Sequence, residues 1–457
     1  MKIKDLENKK IAILGFWAEW KSTLTFLKKI WIQEEKITIL DKESDFSDGI
    51  NMSKITAISW EHYLDNLTDF DIIIKTPWIS PYHKDILPYK EKLTSQTEIF
   101  FNNYSWKVIW VTATKGKSTT VSITYETLDH AWFNVKLVGN IWSPVLDEVD
   151  ITQSNEIYDY VIYELSSYML EGFSPELYIW VLWNIFRCHI DWHNDDYEVY
   201  KQAKINILQN AKNIIINHNL LEYSQEKLNL KDKNSVQSFW TAWDFSYSNN
   251  SKIFYNNNLE LFRDQNILLE GEHNRINTTS ILAIIHTISQ ESWMVFNTIL
   301  NSLKEILSTF KGLPHRMEDI WTYHSIRFID DSISTTPDST VAAIKTFSPE
   351  IGTIFLWGFD YGFEFKDFAQ EIKNHNIKNI VFFPDTWSDI KKELDAINYT
   401  YNWLSTDSMK SAVEFAYKNS KNWEVVLLSC ASPSFSMYNN YKERGYDFKR
   451  QAEKLAQ

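Results

Sequence analysis

A glycine, a lysine and a serine stand together at Gly116, Lys117 and Ser118, directly after a short apolar run over residues 108–112. The run predicts a buried strand, and the residues after the turn predict a helix. At such a junction backbone N–H groups face an anion, lysine adds positive charge and serine can hold Mg²⁺. The pattern therefore predicts a phosphate-binding turn. An ordinary turn with a solvated lysine is the alternative, because the full phosphate-loop spacing would need glycine at Val111.

Further polar side chains follow predicted strands or open predicted helices. Glu164 ends an apolar run, and His189 and His193 come after it. A carboxylate at a strand end and a nearby histidine can complete a Mg²⁺ site against bound phosphates. A surface or packed histidine is the alternative for either one. Asn274 and Asn277 open a later helix, where they could reach a nucleotide base or cap the helix.

The first turn of the chain also has the setting of a nucleotide site. Gly15 follows a predicted strand and precedes a predicted helix, and Asp41 ends the next strand. With glycine at Trp17 and Trp20 the turn would be the G-x-G-x-x-G fingerprint, and Asp41 would lie where an acid meets a ribose. With two indoles, the turn has no room for a pyrophosphate.

Strands alternate with helices along all 457 residues. This alternation predicts an α/β fold of three domains with mainly parallel sheets. We expect a Rossmann-like N-terminal domain over 1–97, a central sheet of the P-loop ATPase type over 98–309 and a Rossmann-like C-terminal domain over 310–457.

Composition limits the class of protein. The net charge of −14 argues against nucleic acid or an anionic membrane as the main partner. The two cysteines have no metal-site spacing, and the sequence contains neither a signal-peptide pattern nor an apolar run long enough to span a bilayer. We therefore expect a cytoplasmic protein.

A set of short motifs makes the chain resemble the Mur ligases over nearly its whole length. These motifs are Val111–Thr120, Gly139–Trp142, Glu164–Ser167, Asn184-Ile185 with His189 and Asp191, Gly271–Asn274, Gly312–Arg316 with Glu318, Asp330–Ser332, and Leu428–Phe435 with Arg444-Gly445.

The resemblance implies an ATP-dependent ligase of peptidoglycan synthesis, most similar to the D-glutamate-adding branch. Its expected substrates are UDP-N-acetylmuramoyl-L-alanine and D-glutamate, joined through an acyl phosphate. The N-terminal domain would bind the UDP-substrate, the central domain ATP and the C-terminal domain the amino acid. We expect a monomer. The alternatives are a sister ligase that adds another amino acid, a ligase like folylpolyglutamate synthase, or a catalytically inactive nucleotide-binding paralogue.

The resemblance also implies roles for individual residues. Lys117 would bind the ATP phosphates, and Ser118 and Glu164 would hold one Mg²⁺. Glu164, His189 and a carbamoylated Lys204 would hold a second Mg²⁺, because carbamoylation makes lysine an anionic oxygen ligand. The nucleotide-binding residues would be Thr114, Lys115, Gly116, Lys117, Ser118, Thr119, Asn274, Arg316 and Asp331. The substrate-binding residues would be Gly15, Asp41, Asn140, His315, Ser332, Thr335, Ser434 and Phe435.

The chain departs from the family pattern at several positions. Ile333 and Tyr361 stand where the family often has basic residues, but most of the departures are tryptophans. The chain has 20 Trp and only 11 Gly, whereas glycine alone usually makes up about 7% of a sequence. Ten tryptophans occupy family glycine positions, namely Trp17, Trp20, Trp31, Trp78, Trp110, Trp132, Trp142, Trp321, Trp357 and Trp423.

We hypothesise that the gene uses a genetic code in which UGA means glycine, and that this chain has tryptophan at those codons. Trp60 and Trp192 are expected to be genuine tryptophans. A truly Trp-rich degenerate paralogue is the alternative, although bulky residues in tight turns would destabilise it.

Overall fold

The structure is a computed structural model. The residues that it describes are 1–15, 18–42, 54–59, 62–139, 142–149, 157–170, 175–185, 191–194, 196–205, 208, 210–228, 235–240, 244–358, 365–385, 387–432, 437–438 and 440–455.

The first sheet has five parallel strands in the described part of the chain. They are β1 (Ile11–Leu14), β2 (Ile37–Asp41), β3 (Thr56–Ser59), β4 (Ile72–Lys75) and β5 (Leu93–Thr94), with helices α1 (Ala18–Lys29) and α2 (Gln96–Asn103). The strand order is β3-β2-β1-β4-β5. Because the order reverses beside β1, the crevice at the carboxyl ends of β1 and β4 is the place where such a sheet binds ligands.

The second sheet has nine described strands, and the two strand pairings at one edge are antiparallel. They are β6 (Val108–Thr112), β7 (Val135–Gly139), β8 (Tyr160–Leu165), β9 (Leu177–Leu182), β10 (Ala211–Asn217), β11 (Val236–Trp240), β12 (Phe245–Ser248), β13 (Ile253–Asn256) and β14 (Leu259–Arg263). Its helices are α3 (Lys117–His130), α4 (Tyr197–Ile205), α5 (Leu221–Leu228), α6 (Glu272–Glu291) and α7 (Phe296–Thr309). Strand β6 lies between β8 and β9, so the turn after β6 opens beside Glu164 of β8.

The third sheet has six described strands, of which only β15 is antiparallel to its neighbour. They are β15 (Glu318–Tyr323), β16 (Ile326–Asp330), β17 (Ile351–Gly358), β18 (Asn379–Asp385), β19 (Asn402–Ser405) and β20 (Val425–Leu428). Its helices are α8 (Pro337–Phe347), α9 (Lys366–Asn374), α10 (Trp387–Ala396), α11 (Met409–Asn419) and α12 (Tyr441–Lys454). The strand order β15-β16-β20-β17-β18-β19 brings the ends of β16 and β20 together.

The central strands of all three sheets are apolar and buried on both faces, as β1, β6 and β20 illustrate. This pattern is typical of parallel sheets covered by helices. The predicted α/β fold is therefore confirmed. One detail differs, because α3 begins at Lys117 and thus earlier than the apolar residues around Val121 suggest. The glycine before Lys117 allows this early start.

The chain forms two structural units, residues 1–267 with 273–309 and residues 268–272 with 310–457. The first unit contains the first two sheets, and the second unit contains the third sheet. The three domain ranges given above stay predictions. Among the described helices, none combines the length and the apolar character needed to cross a membrane.

Candidate active site

The predicted phosphate turn lies between β6 and α3. Gly116 caps α3 in a left-handed conformation with φ of 90°. A Cβ at this position would lie 2.7 Å from Asn277 Oδ1. Both the conformation and the close approach require glycine here. The turn thus has the geometry of a glycine-dependent phosphate loop at a helix N-terminus, where N–H groups can face an anion.

A buried asparagine from the neighbouring strand end holds this loop in place. Asn184 follows β9, and its Oδ1 accepts hydrogen bonds from the backbone N–H groups of Thr114 (2.8 Å) and Lys115 (2.9 Å). Its Nδ2 donates to the carbonyl of Lys115 at 3.0 Å. Three hydrogen bonds from one side chain fix two consecutive loop residues. Asn184 is therefore a positioning residue for the loop, although it was not among the predicted site residues.

Lys117 spans the loop from the first turn of α3. Its Nζ donates to the carbonyl oxygens of Ala113 at 2.8 Å and Thr114 at 3.3 Å. These bonds keep the ammonium group at the loop, next to the helix N-terminus. A positive charge in this place suits an anionic ligand such as a nucleotide phosphate.

Ser118 and Glu164 meet at the base of the loop. Ser118 Oγ donates to Glu164 Oε1 at 3.0 Å, and both side chains are buried. The other carboxylate oxygen, Oε2, accepts a hydrogen bond of 2.9 Å from the indole Nε1 of Trp142. Trp142 comes from the loop after β7. Two of the predicted metal ligands are thus in contact, and an indole from a suspected glycine position touches one of them.

Lys204 of α4 contacts the residues that lead from β6 into the loop. Its Nζ donates to Thr112 Oγ1 at 3.3 Å and to the carbonyl of Ala113 at 3.2 Å, and it lies 5.1 Å from the centre of the Tyr200 ring. Tyr200 in turn contacts Thr114, with 2.7 Å between the two hydroxyl oxygens. Lys204 is only 1% exposed. The structure therefore brings Lys204 to the phosphate loop.

His193 is fully buried and lies edge-on to the Tyr200 ring, with 5.2 Å between the ring centres. His193 is therefore a packed histidine, which was the alternative interpretation of this residue. His189, the predicted metal ligand, lies outside the described residues. Its role stays a prediction.

Asn277, near the start of α6, also lies at the phosphate loop, and it contacts Asn274. Asn277 Nδ2 donates to Asn274 Oδ1 at 3.1 Å, and Asn277 Oδ1 lies against Gly116. Both residues stand within the helix and are buried. The capping alternative is therefore wrong, because Gly271 precedes the helix. The predicted adenine contact of Asn274 stays a prediction.

The first sheet places Gly15 at the carboxyl end of β1, with Asp41 and Thr76 on either side. Gly15 has φ of 102°, and a Cβ there would clash with Thr76 Oγ1. Lys75 ends β4 and is buried, with its Nζ 5.2 Å from the centre of the Trp192 ring. The predicted residues Gly15 and Asp41 are thus together, and Lys75 adds a positive charge that the sequence alone did not reveal.

Glu19 lies close to this cluster, in the first turn of α1. Burial raises the pKa of Glu19 to about 7, and the positive charge of Lys75 opposes the rise. A carboxyl and an ammonium group therefore share a poorly hydrated environment at the end of β1.

In the second unit, the predicted residues gather at the ends of β16 and β20. The His315 ring, through Nδ1, lies 2.7 Å from Asp330 Oδ2, and the Ser332 N–H donates to Asp330 Oδ1. The buried Arg444 donates to the Ser332 carbonyl. Asp331, between Asp330 and Ser332, is buried as well. The structure therefore brings three of the residues predicted for this region together, namely His315, Asp331 and Ser332.

Asp331 has a perturbed carboxyl group. Burial raises its pKa to about 6, and hydrogen bonds from Ser334 and Ser429 and the charge of Arg316 oppose the rise. Ser429 Oγ donates to Asp331 Oδ2 at 2.7 Å. Thr335 and Ile333 lie half-buried beside this cluster. The individually named residues that fall outside the described residues are Trp17, Trp60, Asn140, His189, Tyr361, Ser434 and Phe435.

Known proteins resemble the chain in sequence and in structure. Residues 111–286 match the family model described as Mur ligase middle domain. The UDP-N-acetylmuramoylalanine–D-glutamate ligase of Clostridium tetani is 28% identical over 470 residues, which cover 98% of this chain and 97% of that protein.

Two solved structures share the fold. The UDP-N-acetylmuramate–alanine ligase of Thermotoga maritima matches with a TM-score of 0.59 and 16% identity, covering 98% of this chain and 99% of that one. The MurF ligase of the same organism, solved in complex with ADP, matches with a TM-score of 0.57 and 14% identity, covering 99% and 97%.

The match to the Mur ligase middle domain and the nearly full-length alignment with the D-glutamate ligase place the protein among the ATP-dependent ligases. Within that class, the chain is similar to the Mur ligases, and it shares its α/β fold with the two solved structures.

Proposed function

We propose that this protein uses ATP to join D-glutamate to UDP-N-acetylmuramoyl-L-alanine in peptidoglycan synthesis. The curated relatives with this name align with almost the whole chain. The observation that carries the proposal is the contact between Ser118 and Glu164 beneath the phosphate loop. It provides a place where a nucleotide phosphate and its counter-ion would meet.

The donor atoms at this contact fit a Mg²⁺ ion. Mg²⁺ prefers hard oxygen ligands, and a hydroxyl and a carboxylate oxygen lie 3.0 Å apart here. Ser118 and Glu164 would hold the ion, which when bound neutralises phosphate charge during phosphoryl transfer. Lys204 does not fit as a ligand in its protonated form, because an ammonium group has no lone pair. It would fit a second site, with Glu164 and His189, after carbamoylation.

The reaction that we propose has two chemical steps. A carboxylate oxygen of the UDP-substrate attacks the γ-phosphorus of ATP, and ADP leaves. The amine of D-glutamate then attacks the acyl carbon, phosphate leaves, and the nitrogen loses a proton to give the amide.

The chain's own residues would position these partners. Lys117 and the loop N–H groups, which Asn184 holds in place, would bind the phosphates of ATP. Asn274, buried in α6 next to the loop, would contact adenine. The resemblance also assigns nucleotide binding to Arg316 and Asp331, and this role stays a prediction.

Substrate recognition would use two clusters. At the end of β1, Gly15 would let the UDP-substrate come close to the backbone. Asp41 would accept a hydrogen bond from a ribose hydroxyl, and the ammonium group of Lys75 would pair with the negative diphosphate. Asn140 would join them in holding the UDP-sugar. In the second unit, the residues named for the substrate are His315, Ser332, Thr335, Ser434 and Phe435.

We further propose a cytoplasmic monomer that neither binds nucleic acid nor inserts into a membrane. The net charge of −14 supports the absence of a nucleic-acid partner. The free, buried thiol of Cys430 is compatible with a reducing compartment.

The test is ADP release by two chains, the chain as written and a glycine-restored chain. The glycine-restored chain carries glycine at the ten family glycine positions 17, 20, 31, 78, 110, 132, 142, 321, 357 and 423. Each receives ATP, Mg²⁺ and UDP-N-acetylmuramoyl-L-alanine, with D-glutamate, L-glutamate or no amino acid. We expect turnover that depends on D-glutamate in the glycine-restored chain.

Two variants of the glycine-restored chain sharpen this test. Lys117→Met should abolish turnover, whereas Lys107→Met, at the opposite end of β6, should retain it. A folded glycine-restored chain that releases ADP only with another amino acid would overturn the D-glutamate proposal in favour of a sister ligase. A folded chain with no turnover on any of these substrates would favour the inactive paralogue.

A further inference from the structure

Three tryptophans have a backbone conformation that glycine normally occupies. The φ angles of Trp31, Trp132 and Trp423 are 65°, 66° and 72°. A bulky residue with positive φ is a rare outlier, because its Cβ crowds the neighbouring carbonyl oxygen. The three side chains are 89%, 86% and 77% exposed. Packing of the indoles therefore does not compensate for the strain.

The ends of α1 and α3 show why the backbone needs this conformation. After α1, the Trp31 N–H donates to the Lys28 carbonyl and the Ile32 N–H to the Leu27 carbonyl. Trp132 and Phe133 make the same pair of bonds after α3, to Asp129 and Leu128. This pair of bonds is the Schellman motif, whose left-handed residue is usually glycine and sometimes asparagine.

Two other helices of the same chain end in this motif with asparagine, a residue that is known at this position of the motif. Asn376 after α9 and Asn398 after α10 have φ of 55° and 51°. Each asparagine donates the first hydrogen bond of the motif, and the residue after it donates the second. The chain therefore follows the usual rule for this motif where asparagine is present. Tryptophan breaks the rule at the equivalent position of α1 and α3.

Buried tryptophans give a second, independent observation. Trp110 and Trp357 are fully buried, and neither indole N–H has an acceptor among the described residues. Trp110 stacks on Trp180 of the adjacent strand, and Trp357 lies 3.6 Å from Phe383 between ring centres. Buried N–H groups without acceptors are rare in native proteins. The buried indoles of Trp106, Trp180 and Trp183, which are not at family glycine positions, share this feature, whereas the buried Trp192 donates to the Trp78 carbonyl at 3.3 Å.

We propose that the functional protein has glycine at positions 31, 110, 132, 142, 357 and 423, because its organism decodes UGA as glycine. One decoding change accounts for both sets of observations and for the shortage of glycine in the chain. It also accounts for Trp142, whose indole N–H donates a hydrogen bond to the carboxylate of Glu164. As glycine, position 142 would leave that carboxylate open to a ligand.

The test compares codons and peptide masses in the organism of origin. We expect UGA at the six positions, UGG at Trp192, and a glycine tRNA whose anticodon pairs with UGA. Peptides of the protein isolated from its own cells should contain glycine at the six positions and tryptophan at 192. Tryptophan in native peptides at 31, 132 or 423, or one shared codon for these positions and Trp192, would overturn the proposal.

A second measurement does not depend on native material. The chain as written and the chain with glycine at 31, 132 and 423 are produced in one host and unfolded by heat. The three-glycine chain should have the higher midpoint, because the backbone strain at these exposed positions is released. A lower midpoint would contradict the proposal even if both chains lack enzymatic activity.

Discussion

The indole Nε1 of Trp142 donates a 2.9 Å hydrogen bond to Oε2 of Glu164, whose other oxygen accepts from Ser118 Oγ. The same carboxylate is therefore bonded to a helix residue of the phosphate loop and to a residue from the loop after β7. A cation at Glu164 would compete with this indole hydrogen bond for the carboxylate. The identity of residue 142 thus bears directly on the proposed metal site.

Trp142→Gly in the chain as written should strengthen Mg²⁺ binding. A hydrogen bond to a charged group contributes roughly 1.5–3 kcal/mol, so its removal should improve metal affinity by about tenfold to a hundredfold. The measurement is Mg²⁺ titration by calorimetry. Trp142→Phe is the control, because it removes the donor but keeps most of the bulk. If both variants bind Mg²⁺ no better than the parent chain, the indole does not compete for Glu164.

Asn184→Ala should weaken ATP binding, because the Lys115 N–H loses its acceptor and the Thr114 N–H keeps only its 3.1 Å hydrogen bond to the main-chain carbonyl of residue 184. Each buried N–H left without a partner costs roughly 1–3 kcal/mol. We expect a rise of about tenfold or more in KM for ATP in the glycine-restored chain, together with lower stability. Asn213→Ala is the control, because Asn213 is a buried asparagine of β10 whose Nδ2 donates to the Tyr178 carbonyl, away from the loop. Equal effects of both variants on KM would argue against a specific role of Asn184.

The phosphate loop and Asn184 illustrate what the sequence could and could not predict. The strand, turn and helix around Gly116 are local features, so the pattern of apolar residues and glycine predicts them. Glu164 could be placed because a carboxylate at a strand end is a recognisable signal. Asn184 could not be assigned to the loop, since that contact depends on β9 lying next to β6. The same holds for Lys75, which meets Gly15 only through the strand order of the first sheet.

The tryptophans limited prediction in another way. Helix ends are usually predicted from glycine, and the ends of α1 and α3 carry Trp31 and Trp132 instead. The structure retains the glycine-type backbone at both positions. The hydrogen bonds of the helix end therefore determine the local conformation more strongly than the preference of the residue.

Trp132→Gly should stabilise the chain as written, whereas Trp132→Ala should not. Both substitutions remove an exposed indole, but alanine keeps the Cβ that is unfavourable at φ of 66°. A left-handed conformation costs an L-residue roughly 1–2 kcal/mol, so we expect glycine to raise the free energy of unfolding of the first unit by about that amount. Urea unfolding of both variants measures it. Equal stabilisation by alanine would mean that loss of the indole, and not backbone strain, is responsible.

The stability of the second unit should depend on the protonation of Asp331. Its carboxyl has an ordinary pKa of 3.8 and a pKa of about 6 in the folded protein. Between these values the folded state binds more protons than the unfolded state, so the free energy of unfolding falls as pH rises from about 4 to about 6. The full loss amounts to about 3 kcal/mol, since one pKa unit corresponds to about 1.4 kcal/mol.

Asp331→Asn should remove this part of the pH dependence. The measurement is the difference in free energy of unfolding between the parent chain and the variant from pH 4 to pH 7. Ser429→Ala serves as a matched variant, because Ser429 donates to the carboxylate and its loss should move the transition to higher pH. An unchanged slope in Asp331→Asn would assign the pH dependence to other groups.

Lys75→Met in the glycine-restored chain should weaken binding of the UDP-substrate and leave ATP binding unchanged. Lys75 is buried at the end of β4 beside Gly15, and it lies in the first sheet while the phosphate loop belongs to the second. Methionine keeps the length of the side chain and removes its charge. A charge-assisted hydrogen bond contributes roughly 1.5–3 kcal/mol, so KM for the UDP-substrate should rise about tenfold to a hundredfold. Lys36→Met, just before β2 at the opposite end of the same sheet, should change neither KM. A rise in KM for ATP, or no rise for the UDP-substrate, would show that the charge at position 75 does not contact the diphosphate.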